Sequence, residues 1–159
     1  MAITEITVED GSIVSGANSY ITEAELTQYA EDRAYTITAD DNKTLIYKAM
    51  DFIESKNFLG KIVEEDQPLS WPRQKVYYRG FLLENTDIPQ ILKDAVCALA
   101  LEIDRGYDPL AVITQAVKRQ KVDVIEVEFQ DGTSTFSIRS VNAILRPLLN
   151  PAGSVQRVL

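Results

Sequence analysis

Asp87-Ile88-Pro89-Gln90-Ile91-Leu92-Lys93-Asp94-Ala95-Val96-Cys97-Ala98-Leu99-Ala100-Leu101-Glu102-Ile103-Asp104-Arg105-Gly106 is the stretch whose reading decides the fold. Ile91, Leu92, Ala95, Val96, Leu99 and Ile103 recur at helical spacing, and Ala98, Ala100 and Leu101 widen the stripe beyond a single face. A helix apolar over so much of its circumference belongs in the middle of a bundle. Its limits are also written locally. Asp87 is placed to cap the first turn, Pro89 suits a first helical turn, and Gly106 after Arg105 suits a left-handed C-terminal cap.

Two helices precede it. Thr22-x-x-Glu25 is a capping-box pattern, and Leu26, Tyr29 and Ala30 share a face, which predicts a helix from about Glu23 to Arg33. From Asp41 to Asn57, Leu45, Ile46, Ala49, Met50, Phe52 and Ile53 repeat with helical period, while Lys43, Lys48, Asp51 and Glu54 fall largely between them. Ile3 to Val8 is β-branched and runs into Asp10-Gly11, so a short strand or extended arm is expected there. Phe58 to Pro89 carries prolines and scattered glycines and reads as an extended, partly ordered connection.

Beyond Asp108-Pro109 the period changes. Val122 and Val124, then Ile125, Val127 and Phe129, alternate with charged residues, with a phase slip that suggests a bulge. Asp131-Gly132 is a turn signal, and Phe136 and Ile138 would supply the second strand of a hairpin over 121–139. Val141, Ile144, Leu145, Leu148 and Leu149 then fit one helical face that Pro147 weakens. The expected class is therefore α+β, mainly α: a small helical bundle with a C-terminal β-hairpin and a terminal helix and tail.

Composition narrows function mostly by exclusion. The chain has 159 residues, 45% hydrophobic and 25% charged, enough for a core without crosslinks, and no apolar run reaches the roughly 18 residues of a membrane span. Its N-terminus lacks the basic and apolar regions of a secretory signal, so a cytoplasmic site of synthesis is expected. There is no histidine, which removes Ser-His-Asp and Cys-His chemistry, imidazole bases and the common zinc sites. The single cysteine, Cys97, lies within the apolar helix and reads as a small buried hydrophobe. Neither a Walker-type loop nor a dinucleotide fingerprint is present, so no catalytic residue, cofactor or metal site is expected. Glu64-Glu65-Asp66 and Asp40-Asp41 do not have calcium-loop spacing and read as acidic surface turns. A net charge of -8 disfavours general binding to phosphate backbones. The local basic cluster Lys118-Arg119-Gln120-Lys121 reads as a solvated strand entrance, with contact to nucleic acid or an acidic subunit as the sharper alternative.

The most distinctive string is Gln67-Pro68-Leu69-Ser70-Trp71-Pro72-Arg73. Trp71 between two prolines is read in two ways. It could stack a nucleobase while Arg73 reaches a phosphate, with Tyr77, Tyr78 and Arg79 nearby. The simpler reading makes Trp71 and Arg73 structural anchors that pin the connection onto the helices. Whether Tyr77-Tyr78 forms an exposed patch or a packing cluster is open at this level.

The order of landmarks resembles a known family. Ala17-Asn18-Ser19-Tyr20, the helix around Ala49, Leu69-Ser70-Trp71-Pro72-Arg73, Ile88-Pro89 opening a helix, Lys121-Val122 leading into Ile125-Glu126-Val127-Glu128-Phe129, and the closing Val141 to Leu149 are similar to head-tail adaptor (head-completion) proteins of tailed bacteriophages. Some of these are labelled DnaT-like single-stranded-DNA-binding proteins. The resemblance implies no enzyme. It implies a homo-oligomeric ring, a dodecamer, in the virion neck, bound to the portal protein and to a tail-terminator or neck protein. Genome DNA would pass through its channel without specific binding, and no membrane would be involved. It further implies a helical adaptor domain over 1–140 and a C-terminal helix and docking tail over 141–159. The portal interface would then be Val141, Ile144, Leu145, Leu148, Leu149, Val155, Val158 and Leu159.

Overall fold

The computed structural model describes residues 2–110 and 134–151. Helix α1 spans Glu23–Glu31, α2 Asn42–Glu54, α3 Gln90–Asp104 and α4 Ser134–Leu145. Between α2 and α3 lie two antiparallel hairpins, β1 (Lys61–Ile62) with β2 (Arg73–Gln74), and β3 (Tyr77–Tyr78) with β4 (Phe81–Leu82). The fold is the mainly helical α+β bundle expected, with its described hairpins in the middle of the chain.

α3 is the hub. It packs against α2, α4 and α1, and eight of its 15 residues are buried, including Leu92, Ala95, Val96, Leu99 and Ala100. Contact with three neighbours explains why its apolar surface is so wide. Its C-terminus closes as Gly106 requires: at φ +102°, the Gly106 N–H donates to Ile103 O at 2.9 Å and the Tyr107 N–H to Glu102 O at 3.1 Å, the paired bonds of a Schellman cap. The N-terminus departs from expectation. The cap position is Pro89, without a side-chain cap bond. Asp87 instead accepts from Glu84 N at 3.0 Å, closing the preceding turn, because its position two residues before the cap puts its carboxylate on that turn.

α1 begins with the full capping box. Glu25 N donates to Thr22 Oγ1 at 3.0 Å, and Thr22 N to Glu25 Oε2 at 2.7 Å. α2 is capped by Asp41, which accepts from Lys43 N at 2.8 Å. The N-terminal arm is held by a carboxylate that periodicity does not reveal. Glu9 is fully buried and accepts from the backbone N–H groups of Gly11, Ile13 and Val14 at 2.8–2.9 Å. Gly11 (φ +103°) sits so close to Thr86 that a Cβ there would fall 1.7 Å from the Thr86 carbonyl oxygen, so only glycine fits where the arm passes under the entry to α3.

The C-terminal expectations meet the structure unevenly. The first strand of the hairpin over 121–139, the Asp131-Gly132 turn, the basic cluster at 118–121 and Val155, Val158 and Leu159 lie outside the described residues. Phe136 and Ile138, read as the second strand, fall within α4. Two apolar residues at i, i+2 fit either period, and Ile138 also continues the helical series of Val141 and Leu145.

Candidate contact site

The Leu69–Arg73 string lies in the long connection with Trp71 and Pro72 buried and Leu69, Ser70 and Arg73 half-buried. Trp71 is fully buried, with the Trp71–Pro72 peptide bond cis, and meets Phe58 edge to face with ring centroids 5.8 Å apart. The surrounding backbone is fastened by the buried Tyr20 and the half-buried Glu54. Tyr20 donates to Glu54, Trp71 N donates to the Tyr20 hydroxyl at 3.1 Å, and Ser70 N donates to Glu54 Oε2 at 2.8 Å. Burial first, then the adjacent Glu54 carboxylate, push the Tyr20 hydroxyl well above its ordinary pKa, so it stays a donor.

Arg73 is a backbone clip. Its Nε donates to Leu59 O at 2.6 Å, one terminal nitrogen to Ser70 O at 3.1 Å, and the other to Gly60 O at 3.0 Å and Phe58 O at 3.5 Å. A rigid guanidinium fork can hold several carbonyls that would otherwise lack partners. Gln67 organises the β1–β2 loop similarly, accepting from Val63 N and Glu64 N and donating to Leu69 O and Pro72 O. Trp71 is thus enclosed, and the half-buried Arg73 guanidinium is spent on backbone carbonyls.

The surface left open is the β3–β4 hairpin. Its partners are Tyr77 with Leu82 and Tyr78 with Phe81. Arg79 (φ +52°) and Gly80 (φ +84°) form a two-residue turn with both central residues in the left-handed region, the type I′ geometry that suits tight hairpins. Its base is fixed by the fully buried Val76, whose carbonyl accepts from Leu83 N at 2.9 Å. Beyond that base Phe81 is 76% exposed, Tyr77 63% and Leu82 57%. Tyr78 packs partly against the core, with the Arg79 guanidinium 5.2 Å from its ring centroid. Of the aromatic and cationic residues considered together, Tyr77, Tyr78 and Arg79 share this element, while Trp71 and Arg73 are internal. The hairpin is missed in sequence because each strand is two residues long; the legible signal is an X-Gly pair flanked by aromatics.

The helical series after 140 is partly internal as well. Val141, Leu145 and Leu148 are fully buried, and Ile144 and Leu149 pack partly against the core. After a 3-10 turn over Arg146–Leu148, the chain pairs with the segment that follows α2: Leu59 N donates to Leu148 O at 2.8 Å and Asn150 N to Asn57 O at 2.9 Å. A segment expected to leave its domain is thus packed on it as far as Asn150, because its apolar face is needed to cover α3.

Cys97 is buried, and burial first, then Asp94 and Glu25, push its thiol up to about 12, far from a reactive thiolate. Among the described residues no group of His, Cys, Asp or Glu is placed to hold a metal ion, and no helix is long and apolar enough to cross a membrane.

A family model described as "Putative DnaT-like ssDNA binding protein" matches residues 4–158. The chain belongs to this family. The DnaT-like family is described by binding and not by a reaction, and the chain is accordingly read as a non-enzymatic binding protein. No curated protein and no solved structure matches the chain.

Proposed function

We propose that this chain is a structural adaptor of a tailed phage, forming a ring beneath the portal and joining it to tail-terminator or neck proteins around the DNA channel. The observation that carries the reading is the β3–β4 hairpin, an apolar arm left exposed on an acidic bundle. Exposed Phe and Leu side chains gain most from an apolar protein partner, whereas a net charge of -8 opposes a polyphosphate. The order of sequence landmarks supports the same reading. In this reading portal docking belongs to the C-terminal segment from Val141, whose Val155, Val158 and Leu159 are apolar residues beyond the packed Val141, Leu145 and Leu148.

The test is portal capture by the purified chain, with and without residues 151–159. Full-length protein should bind and the shortened chain should not, while its circular dichroism is unchanged. Unimpaired capture would reject the docking tail, and no capture by the full chain would reject the adaptor.

A second reading has the family description behind it: binding of single-stranded DNA. It would use Tyr77, Tyr78 and Arg79 and leave Trp71 and Arg73 aside, aromatics stacking on bases beside one cation. Under this reading the anisotropy of a labelled single-stranded oligonucleotide rises at low salt, falls with added salt, and fails to rise with Tyr77→Ser or Arg79→Ser. No rise at low salt would dismiss it.

A further inference from the structure

The hairpin has a counterpart on the same molecule that it cannot reach. At the far end of the bundle a recess of about 410 Å³ opens between the segment before α2 and the last turn of α3. Ala39, Leu45 and Ile103 contribute its apolar lining, and Asp40, Asp41 and Asp104 contribute carboxylates against the single cation Lys48. The arm from Lys75 to Leu83 has the opposite character: Lys75 and Arg79 are its charges, and it contains no acidic residue.

Their positions keep them apart. The recess includes Asp104, the last residue of α3, and Asp41, the cap of α2. The connection is fastened at the other end, where Ser70 bonds to Glu54, the last residue of α2, and β4 leads into the start of α3. A 15-residue helix separates these ends by about 22 Å.

We propose that the β3–β4 hairpin of one copy seats in the Ala39–Leu45–Ile103 recess of a second copy, Phe81 against the apolar lining and Arg79 beside Asp40. This rests on the reading of the hairpin as a protein contact and names its partner. The contact is heterologous, so each copy offers a free hairpin and a free recess to the next. Such contacts close into a ring when the rotation permits and run on as a filament when it does not. Pairing a basic arm with an acidic recess also allows like-charged copies of a strongly acidic chain to associate.

The test places a photoreactive benzophenone amino acid at position 81 and mixes isotopically labelled with unlabelled protein at the highest attainable concentration. Light should produce intermolecular products attached within 38–48 or at 103–104. Arg79→Glu and Asp40→Lys should each weaken self-association, read by sedimentation, at least tenfold, and the double variant should recover it. Both positions are exposed, so melting curves should match the parent. A protein that stays monomeric without such products, products mapping elsewhere, or a double variant that stays as weak as the singles would each overturn the contact. Portal capture is read in parallel. Capture without the cross-link overturns only the head-to-tail contact, and the cross-link without capture overturns only the adaptor.

Discussion

Arg73 and Asp104 perform the same task at opposite ends of the bundle, each using a charge to hold irregular backbone. Asp104 accepts from Tyr35 Oη at 2.7 Å, Thr38 N at 2.9 Å, Thr38 Oγ1 at 3.1 Å and Ala39 N at 2.8 Å, latching the segment before α2 to the end of α3. Burial pushes its carboxyl up, but the four donors outweigh that and hold it below its ordinary value. With the folded value below the unfolded one, the latch's stabilisation is fully present above about pH 4 and is lost as pH falls through the folded value. Asp104→Asn should therefore cost about 1 kcal/mol at neutral pH, and its deficit against the parent should vanish in strong acid. Urea unfolding at the two pH values checks this; a deficit that persisted in acid would contradict it. At this scale the burial of Trp71 was legible because a lone large aromatic between prolines has few alternatives to burial. Glu9 and Asp104 were not, because a carboxylate that binds distant backbone N–H groups has the same local sequence as one in water.

Elements were legible where their signal is local and repeated. The Thr22–Glu25 box, the period of α2 and the Gly106 cap each involve residues within a turn or two, and each formed as read. The hairpins were not legible, because strands of two residues offer no alternation to count. Gly80 provides a measure of how independent β3–β4 is. At φ +84°, with open space around its Cα, substitution meets backbone strain and no clash. Gly80→Ala should cost about 1 kcal/mol, confined to the hairpin. Amide exchange at Tyr78, Phe81 and Leu83 should accelerate while the global melting temperature holds; a matching fall in global stability would mean that the hairpin belongs to the core.

For the molecule as a whole, a single bundle built on α3 was evident from the breadth of its apolar surface, but the destination of the segment after 140 was not. An amphipathic helix next to a bundle can cover that bundle or another subunit, and periodicity is the same in both cases. The burial of Val141, Leu145 and Leu148 gives a sharp truncation test. Removing residues 151–159 should leave unfolding unchanged. Removing residues from Val141 onward strips about 5–9 kcal/mol of apolar burial, comparable with the entire stability of a typical domain, and near-ultraviolet circular dichroism should report loss of fixed packing. The return of Asn150 to the segment that follows α2 also sets a timetable. Asn150 bonds to Phe58 across 92 positions, which a ribosome takes roughly 5–20 s to traverse. For that interval the nascent chain carries the Phe58–Trp71 surface without the segment that later borders it, and the core closes only after synthesis has passed its last pairing residue.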